Sequence, residues 1–542
     1  MALYNFTKPV EITAKTAQNV AGDCLVLPLD IANFTQLLEK NTLNSGEILS
    51  SEDCQFIAKV AKINNFEAKC GSSLVISGLP KCKIPTILLY GLGEMKECKL
   101  GESAGVCTKF AKFEEKGGKI GAELLSLKAK DVAILASNIS NQTNCCIDKI
   151  SLAIASGIVQ RSYNFSKHIT KKETLEKLPS IKNIAIITDA DISCKVKEQN
   201  LLLESVYITR DLCNEPANII YPEIYANIIK EEMEGMENIS IDILDLKTLE
   251  KLGMGSLLGV SLGSDKEPRV VVVTYKGNKD KVEFDLALVG KGVTFDSGGL
   301  SIKPENSMED MKDDMAGSAT VFSSVRLLAK RKAKVNVLCA LGIVENMING
   351  VAQKPGDIVK SMSGQTIEVL NTDAEGRLIL ADVLYYIKTK YNPERIIDFA
   401  TLTGAIVVSL GYEYAGLFSN HDCFAKSIEN AGIQSGEKCW KLPMSKEYDR
   451  LIDSPIADMK NISRGSGAGS ITAAQFLQRF IDGHEKWAHI DIAGVGGLVK
   501  TEKPLSKGGA SGFGIKLVDR YIRNNLEECS NKCKDSSVTC QE

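Results

Sequence analysis

The chain contains 542 residues, more than one hydrophobic core normally serves, so its length predicts at least two domains. Hydrophobic residues make up 44% and charged residues 25%, a composition that excludes a disordered or fibrous protein. The 65 basic and 68 acidic residues nearly cancel, which excludes a global field that would gather nucleic acid or an anionic membrane.

The amino terminus and the cysteines indicate the cellular compartment. The first residues lack the basic start and apolar core of a signal peptide, and no apolar run is long enough to span a bilayer. The 16 cysteines are scattered, without a CxxC pair or a Cys/His cluster at zinc-ligand spacing. We therefore expect a cytoplasmic protein with reduced thiols that is not associated with membranes.

Short β-branched runs in the first third of the chain predict buried strands at 24–28, 86–91, 132–135 and 184–188. Longer polar stretches with helical spacing, such as Gly101 to Glu115, lie between them. This alternation predicts a smaller α/β domain over residues 1–195. A helical segment at 196–215 predicts a linker helix, which ends before Pro216 because proline cannot continue a helix.

Further strands are predicted at 239–244, 269–275, 286–289, 335–340 and 396–400, again between helical stretches. They predict a larger carboxyl-terminal α/β domain over residues 216–526, with a mixed, mainly buried sheet flanked by helices. The fold class is therefore α/β, with two α/β domains. Residues 527–542 have the composition of a disordered tail.

The segment after the predicted strand 286–289 is rich in glycine and carries Lys291, Asp296 and Lys303. Ligands of open α/β sheets bind where such strands end. Glycine also allows the backbone to approach a ligand closely. We therefore interpret this segment as glycine-rich loops at a binding site.

Acidic residues recur at two later positions. Asp313 and Asp314 precede a small-residue helix, where acids commonly serve as caps because they interact favourably with the helix dipole. Asp373, Glu375 and Arg377 follow a strand at alternate positions, and continued extended backbone would place them on one side. Adjacent carboxylates repel each other, so packing alone does not favour this pattern, whereas a cation between them removes the conflict.

Together Asp296, Asp314, Asp373 and Glu375 supply enough oxygen atoms to hold two divalent ions such as Zn²⁺, Mn²⁺ or Mg²⁺. Two such ions, about 3.5–4 Å apart, can share a water molecule and lower its pKa. This chemistry is hydrolytic. The competing signals are weaker: Gly259 to Gly263 fits the nucleophile-elbow pattern only by composition, HExxH zinc chemistry is absent, and His489 is expected to be a core histidine.

The segment Asn371-Thr-Asp-Ala-Glu-Gly-Arg-Leu378 resembles the signature of the leucyl aminopeptidase family, the cytosol aminopeptidases. The likeness extends through 289–299, 355–359, 361–364, 400–405, 468–474 and 510–514, and covers essentially everything after residue 208. Residues 1 to about 195 share only the general α/β character of the family's variable amino-terminal domain.

The resemblance implies five metal ligands for two divalent ions, Zn²⁺ or Mn²⁺ and possibly Mg²⁺: Lys291, Asp296, Asp314, Asp373 and Glu375. Asp296 and Glu375 would bridge the pair. An ammonium group has no lone pair to donate, so Lys291 would have to be neutral, which requires burial beside the cations.

The resemblance also implies catalytic roles. Lys303 would polarise the scissile carbonyl, and Arg377 would hold a bicarbonate ion that serves as the general base. Met311, Thr401 and Gly404 match positions near the apolar pocket for the substrate side chain. The implied protein is a homohexamer that removes leucine-like residues from short peptides with a free amino terminus.

Two alternatives remain at this stage. The chain could serve mainly as a structural or DNA-binding assembly, although its balanced charge speaks against nucleic acid as the main ligand. It could also be a two-metal phosphoesterase, which would use similar carboxylates but rarely needs a neutral lysine ligand.

Overall fold

The structure, a computed structural model, describes residues 3–44, 48–94, 109–137, 139, 147–306, 308–465, 467–481 and 483–527. The chain divides into two compact units. The amino-terminal unit comprises Lys8–Glu204 together with the short segment Thr501–Lys507, and the carboxyl-terminal unit comprises the rest. The units meet in sequence between Glu204 and Ser205, inside the segment assigned above to a linker helix.

The amino-terminal unit contains a six-stranded sheet in the order β1-β6-β5-β2-β4-β3, parallel except for the edge strand β3. All seven residues of β2 are buried, which explains the apolar run from Cys24 to Leu29 that precedes Asp30. The elements up to the unit boundary are β1 (Ile12–Lys15), β2 (Cys24–Asp30), α1 (Ile31–Lys40), α2 (Ser51–Ile63), β3 (Ser73–Ser77), β4 (Thr86–Gly93), α3 (Lys109–Ser126), β5 (Asp131–Ile134), α4 (Ile147–Ser162), α5 (Lys172–Leu175), β6 (Asn183–Ile187) and α6 (Ser193–Asn214).

The carboxyl-terminal unit begins within α6. Its further elements are α7 (Pro222–Met233), β7 (Ile239–Leu244), α8 (Leu246–Leu252), α9 (Gly255–Ser261), β8 (Arg269–Lys276), β9 (Leu286–Asp296), α10 (Ala316–Lys330), β10 (Asn336–Asn346), β11 (Ile358–Lys360), β12 (Thr366–Glu368), α11 (Gly376–Tyr391), β13 (Ile396–Ala400), α12 (Gly404–Leu410), β14 (Ala415–Ser419), α13 (Asp422–Ser435), β15 (Cys439–Lys441), α14 (Lys446–Asp449), β16 (Met459–Lys460), α15 (Gly469–Gln478), β17 (Trp487–Asp491), β18 (Leu498–Val499), β19 (Gly509–Ala510) and α16 (Ile515–Ile522).

An eight-stranded mixed sheet forms the centre of this unit, in the order β15-β14-β17-β13-β9-β10-β8-β7. Strands β13, β9 and β10 are parallel neighbours, so their carboxyl ends lie side by side. Helices α7, α10, α13 and α16 bury their apolar side chains in one core, and α8, α9, α11 and α15 bury theirs in another. The predicted fold class, with a mixed and mainly buried sheet flanked by helices, is confirmed.

The structure corrects the interpretation of the glycine-rich segment. Strand β9 does not end at Val289 but continues through Asp296, paired with β10. A Cβ on Gly290 would lie 2.5 Å from the Cα of Ser318, at the start of α10. The glycine therefore allows the helix to pack closely against the strand, and Lys291 lies within a strand and not in a loop.

Residues 373–377 do not continue as extended backbone, so the prediction that Asp373, Glu375 and Arg377 point to one side is wrong. Glu375 has helical backbone angles (φ −78°, ψ −35°), and Gly376 begins α11. Asp373, Glu375 and Arg377 therefore lie on a turn that leads into a helix, and their side chains diverge.

Several predictions concern residues beyond those described. The predicted tail lies outside the described part of the chain except for Glu527, and residues 101–108 of the predicted helical stretch Gly101 to Glu115 lie outside it as well. The remainder of that stretch belongs to α3.

Among the described residues, the cysteines form no disulfide, and no helix is both long and apolar enough to cross a bilayer.

Candidate metal centre

Three buried carboxylates meet at the carboxyl edge of the central strands. Asp296 is the last residue of β9, Asp314 precedes α10, and Glu375 directly precedes α11. One carboxylate oxygen from each lies within 4.8 Å of the others. The site therefore lies where ligands of open α/β sheets bind, as the sequence predicts.

Lys291 extends from the middle of β9 into this cluster. Its Nζ lies 2.8 Å from Asp314 Oδ1 and 2.7 Å from Glu375 Oε1, and it donates a hydrogen bond to the carbonyl of Thr401 (2.9 Å). Burial opposes the charge, but the Asp314, Glu375 and Asp296 carboxylates outweigh it and raise the pKa of Lys291. With carboxylates alone around it, Lys291 is an ammonium ion, and a neutral amine here requires cations among the carboxylates.

Lys303 lies on the more open side of the cluster, with 19% of its side chain exposed. Its Nζ is 2.7 Å from Asp296 Oδ2 and also pairs with Asp373. Burial again opposes the charge, but Asp296 and the other carboxylates raise the pKa of Lys303. Asp373 thus lies beside the three-carboxylate cluster, linked to it through Lys303.

The donor set fits divalent cations. Asp314 Oδ2 and Glu375 Oε2 are buried, and neither has a hydrogen-bond partner among the described residues. Burial raises the pKa of both carboxyl groups, and Glu375 adds to the effect on Asp314. A buried carboxylate oxygen without a partner is costly, and a cation with several carboxylate ligands removes that cost.

Asn346 and Thr372 hold the two acid-bearing segments together, and sequence reasoning missed both. Asn346 Nδ2 donates to Asp296 Oδ1 (2.8 Å) and to the carbonyl of Thr372 (3.1 Å). Thr372 Oγ1 donates to the carbonyl of Gly298 (2.7 Å). Asn346 is the last residue of β10, the neighbour of β9, so a search for polar residues at strand ends could have found it.

Arg377 contacts the segment that follows β16, and the Glu375 carboxylate partly offsets the effect of burial on its pKa. It is buried in the first turn of α11, and its Nη1 donates to the carbonyl of Asn461 (2.7 Å). Burial lowers the pKa of Arg377 to about 10, so it remains a cation at neutral pH. Its buried Nε has no hydrogen-bond partner among the described residues, which suits a small anion such as bicarbonate.

The three residues predicted near the substrate pocket differ in their surroundings. Thr401 follows β13 and donates from Oγ1 to Asp314 Oδ1 (2.7 Å), which ties it directly to the carboxylate cluster. Met311 is half-buried in a 3₁₀ helix (Met308–Asp313) just before Asp314. Gly404 is exposed at the start of α12, where an added Cβ would meet nothing within 4 Å. It therefore borders open space.

The nucleophile-elbow pattern and His489, the two signals that competed with a metal site, have structural explanations. Ser261 lies at the end of helix α9, not on the sharp strand-to-helix turn that a nucleophile elbow requires. His489 is fully buried in β17, with Nδ1 2.5 Å from Asp398 Oδ1. It is the core histidine that the sequence predicts.

Comparisons with known families match both parts of the chain. The family described as "Cytosol aminopeptidase family, catalytic domain" matches residues 207–518. The corresponding "N-terminal domain" family matches residues 31–172, although the sequence patterns there indicated only a general α/β character. Probable cytosol aminopeptidases are similar over nearly the whole chain. That of Nitrobacter winogradskyi is 44% identical over 89% of this chain and 93% of its own, and that of Rickettsia bellii 41% identical over 97% and 99%.

Solved structures agree with these matches. A variant of tomato leucine aminopeptidase is similar with a TM-score of 0.81 and 31% identity, over 96% of this chain and 98% of its own. The bottromycin maturation enzyme BotP, in complex with Mn, has a TM-score of 0.77 and 27% identity, over 93% and 99%.

Proposed function

This chain belongs to the cytosol aminopeptidase family, and from that premise we propose that it is a two-metal enzyme that removes leucine-like residues from short peptides. The family consists of metal-dependent exopeptidases, so the chain is an aminopeptidase that acts on peptides. Beyond this family assignment, we propose that two ions are bound, that an apolar first residue is preferred, and that each side chain has the role given below.

The observation that carries the proposal is the cluster of Asp296, Asp314 and Glu375, in which Asp314 Oδ2 and Glu375 Oε2 lack hydrogen-bond partners within the described part of the chain. These three residues, together with Lys291 and Asp373, would hold two divalent ions, Zn²⁺, Mn²⁺ or Mg²⁺. When bound, such ions lower the pKa of a shared water molecule and polarise a carbonyl group. Asp296 and Glu375 are the proposed bridging ligands.

The remaining roles belong to side chains around the cluster. Lys303 lies on its more open side, where its ammonium group would stabilise the negative charge that develops on the scissile carbonyl oxygen. Arg377 would anchor a bicarbonate ion, whose chemistry is that of a general base. Thr401, Met311 and Gly404 would border the pocket for the first side chain of the peptide.

We also propose that the protein works in the cytoplasm as a homohexamer. Relatives are named cytosol aminopeptidases. Large apolar side chains such as Val408 (90% exposed) and Ile456 (62% exposed) are exposed on the single chain and would be available for contacts between copies.

Removal of divalent ions is expected to abolish the release of the first residue from leucine-initiated peptides, because the proposed ions lower the pKa of the attacking water and polarise the scissile carbonyl group. Release of free amino acids from a peptide panel, before and after chelation and after addition of Mn²⁺ or Zn²⁺, measures this. Peptides with an acetylated amino terminus serve as the control and should remain uncut. Metal-dependent cleavage of a phosphodiester but not of the peptides would overturn the proposal, as would tight, salt-sensitive DNA binding without peptidase activity.

Gly376→Ala is expected to weaken Mn²⁺ binding by about tenfold to a hundredfold, the usual effect of disturbing the surroundings of a metal ligand. A Cβ at Gly376 would lie 2.7 Å from Cδ and Cε of Lys291 and 2.8 Å from its Nζ. Lys291 must then leave the position in which it reaches Asp314 and Glu375. The helical backbone itself tolerates alanine. Isothermal titration with Mn²⁺ measures the change.

Gly350→Ala is the matched control for this substitution. Gly350 is exposed, and an added Cβ there meets nothing within 4 Å. We expect wild-type Mn²⁺ affinity and an unchanged melting temperature for this variant. Equal Mn²⁺ affinity in the two variants would contradict the assignment of Lys291 as a metal ligand.

A further inference from the structure

Asn461 is fully buried and directly follows β16, which pairs with β12. Its backbone N–H donates to the carbonyl of Glu368, the last residue of β12 (3.0 Å). This bond continues the pairing by one residue and fixes the backbone of Asn461 beside the turn that leads to α11.

The side-chain amide of Asn461 binds this turn with both of its ends. Nδ2 donates to the carbonyls of Asn371 (2.6 Å) and Ala374 (3.4 Å). Oδ1 accepts from the backbone N–H groups of Leu370 (2.8 Å) and Asn371 (3.3 Å). One asparagine therefore satisfies four backbone groups of residues 370–374, the segment that carries Asp373 and leads directly to Glu375.

The backbone carbonyl of Asn461 has a separate role. It accepts the 2.7 Å hydrogen bond from Arg377 Nη1. This contact fixes one arm of the guanidinium group, whose Nε has no hydrogen-bond partner among the described residues. The same residue thus touches the acid-bearing turn with its side chain and the buried arginine with its backbone.

We propose that Asn461 is a positioning residue that couples the geometry of the metal-binding carboxylates to the orientation of Arg377. The inference rests on the proposed two-metal function. Asparagine suits this role because a single neutral amide offers both donors and an acceptor, and it adds no charge beside the carboxylates. Groups that orient ligands from behind contribute strongly to metal affinity and activity.

Asn461→Ala is expected to raise the dissociation constant for Mn²⁺ about tenfold to a hundredfold. It should also reduce the stimulation of kcat by bicarbonate, because a turn that relaxes shifts the carbonyl that holds Arg377. Asn461 contacts the acid-bearing turn and Arg377, which are both proposed to act in the chemical step. KM should therefore change less than kcat. Isothermal titration with Mn²⁺, and kcat measured with and without bicarbonate, give the two results.

Asn336→Ala provides a matched control. Asn336 is also fully buried, and its Nδ2 donates to the carbonyls of Lys281 (2.8 Å) and Glu283 (3.1 Å). Its Oδ1 accepts from the backbone N–H of Asn278 (3.0 Å). It is therefore a comparable amide clamp on a segment that carries none of the proposed ligands. This variant should lose stability but keep wild-type Mn²⁺ affinity and bicarbonate response.

Asn461→Asp serves as a second variant of nearly the same size, in case the alanine variant does not fold. A carboxylate still accepts from Leu370 and Asn371, but it cannot donate to the two carbonyls. We expect Mn²⁺ affinity to fall here too. Wild-type Mn²⁺ affinity and bicarbonate response in a folded Asn461 variant would overturn the inference. Wild-type enzyme that binds none of Mn²⁺, Zn²⁺ and Mg²⁺ would instead refute the proposed function.

Discussion

Lys303→Ala is expected to lower kcat for leucine amide about 10²–10³-fold, the usual loss when one group that stabilises an oxyanion is removed. Its carboxylate neighbours, Asp296 first among them, raise the pKa of Lys303, so it is a full cation at neutral pH. Its side chain is partly exposed, and its Nζ lies beside the carboxylates, where the carbonyl group of a substrate would bind. The loss should appear in kcat more than in KM, because charge on the carbonyl oxygen develops only in the transition state.

Metal content separates this role from that of a ligand. Lys303 is a cation 2.7 Å from Asp296, so its removal takes away a positive charge that competes with metal ions. We therefore expect Mn²⁺ to bind the alanine variant at least as tightly as the wild-type enzyme. Lys303→Arg keeps the charge but changes the geometry, and an intermediate kcat is expected. Unchanged turnover in Lys303→Ala would refute the proposed role.

The location of the site could be predicted from sequence, because it depends on where acids stand relative to strands. Asp296 ends β9, and Asp314 and Glu375 stand before helices, so topology alone brings them to one edge of the sheet. The carboxyl end of β9 was harder to predict from sequence. In the sequence, Gly290 and Gly292 resemble loop glycines. In the fold, Ser318 of α10 packs closely against both, and this contact joins distant parts of the chain.

The divergence of Glu375 and Arg377 could not be predicted from their spacing. Alternate positions share a face only in extended backbone, and one helical residue between them sends the two side chains apart. Because α11 begins at Gly376, Glu375 meets Lys291 while Arg377 reaches Asn461.

The residues that orient the proposed metal ligands are the hardest to predict from sequence. Asn461 and Asn346 are single asparagines with no motif of their own, and Asn461 acts on a turn about 90 residues earlier in the chain. Their hydrogen bonds depend on the pairing of β16 with β12 and of β10 with β9. Such pairings become visible only in the folded chain.

Arg377→Ala is expected to lower kcat about 10²-fold or more, in line with the contribution of a positioned general base. Burial lowers the pKa of Arg377 to about 10, so at neutral pH the wild-type side chain is a buried cation whose Nε finds no hydrogen-bond partner in the described ranges of the chain. A small anion would pair with this charge. Without the guanidinium group nothing holds bicarbonate in place, and kcat should no longer rise when bicarbonate is added.

The control is Arg377→Lys, which keeps a positive charge but loses Nε and the planar fork that pairs with two oxygens at once. We expect this variant to respond to bicarbonate weakly and only at high concentration. Because the hydrogen bond from Arg377 goes to the carbonyl of Asn461 and not to a proposed metal ligand, both variants should retain close to wild-type Mn²⁺ affinity. If bicarbonate stimulates Arg377→Ala as strongly as the wild-type enzyme, the anion binds elsewhere. If both variants lose their metal instead, Arg377 supports the ligands and does not anchor the base.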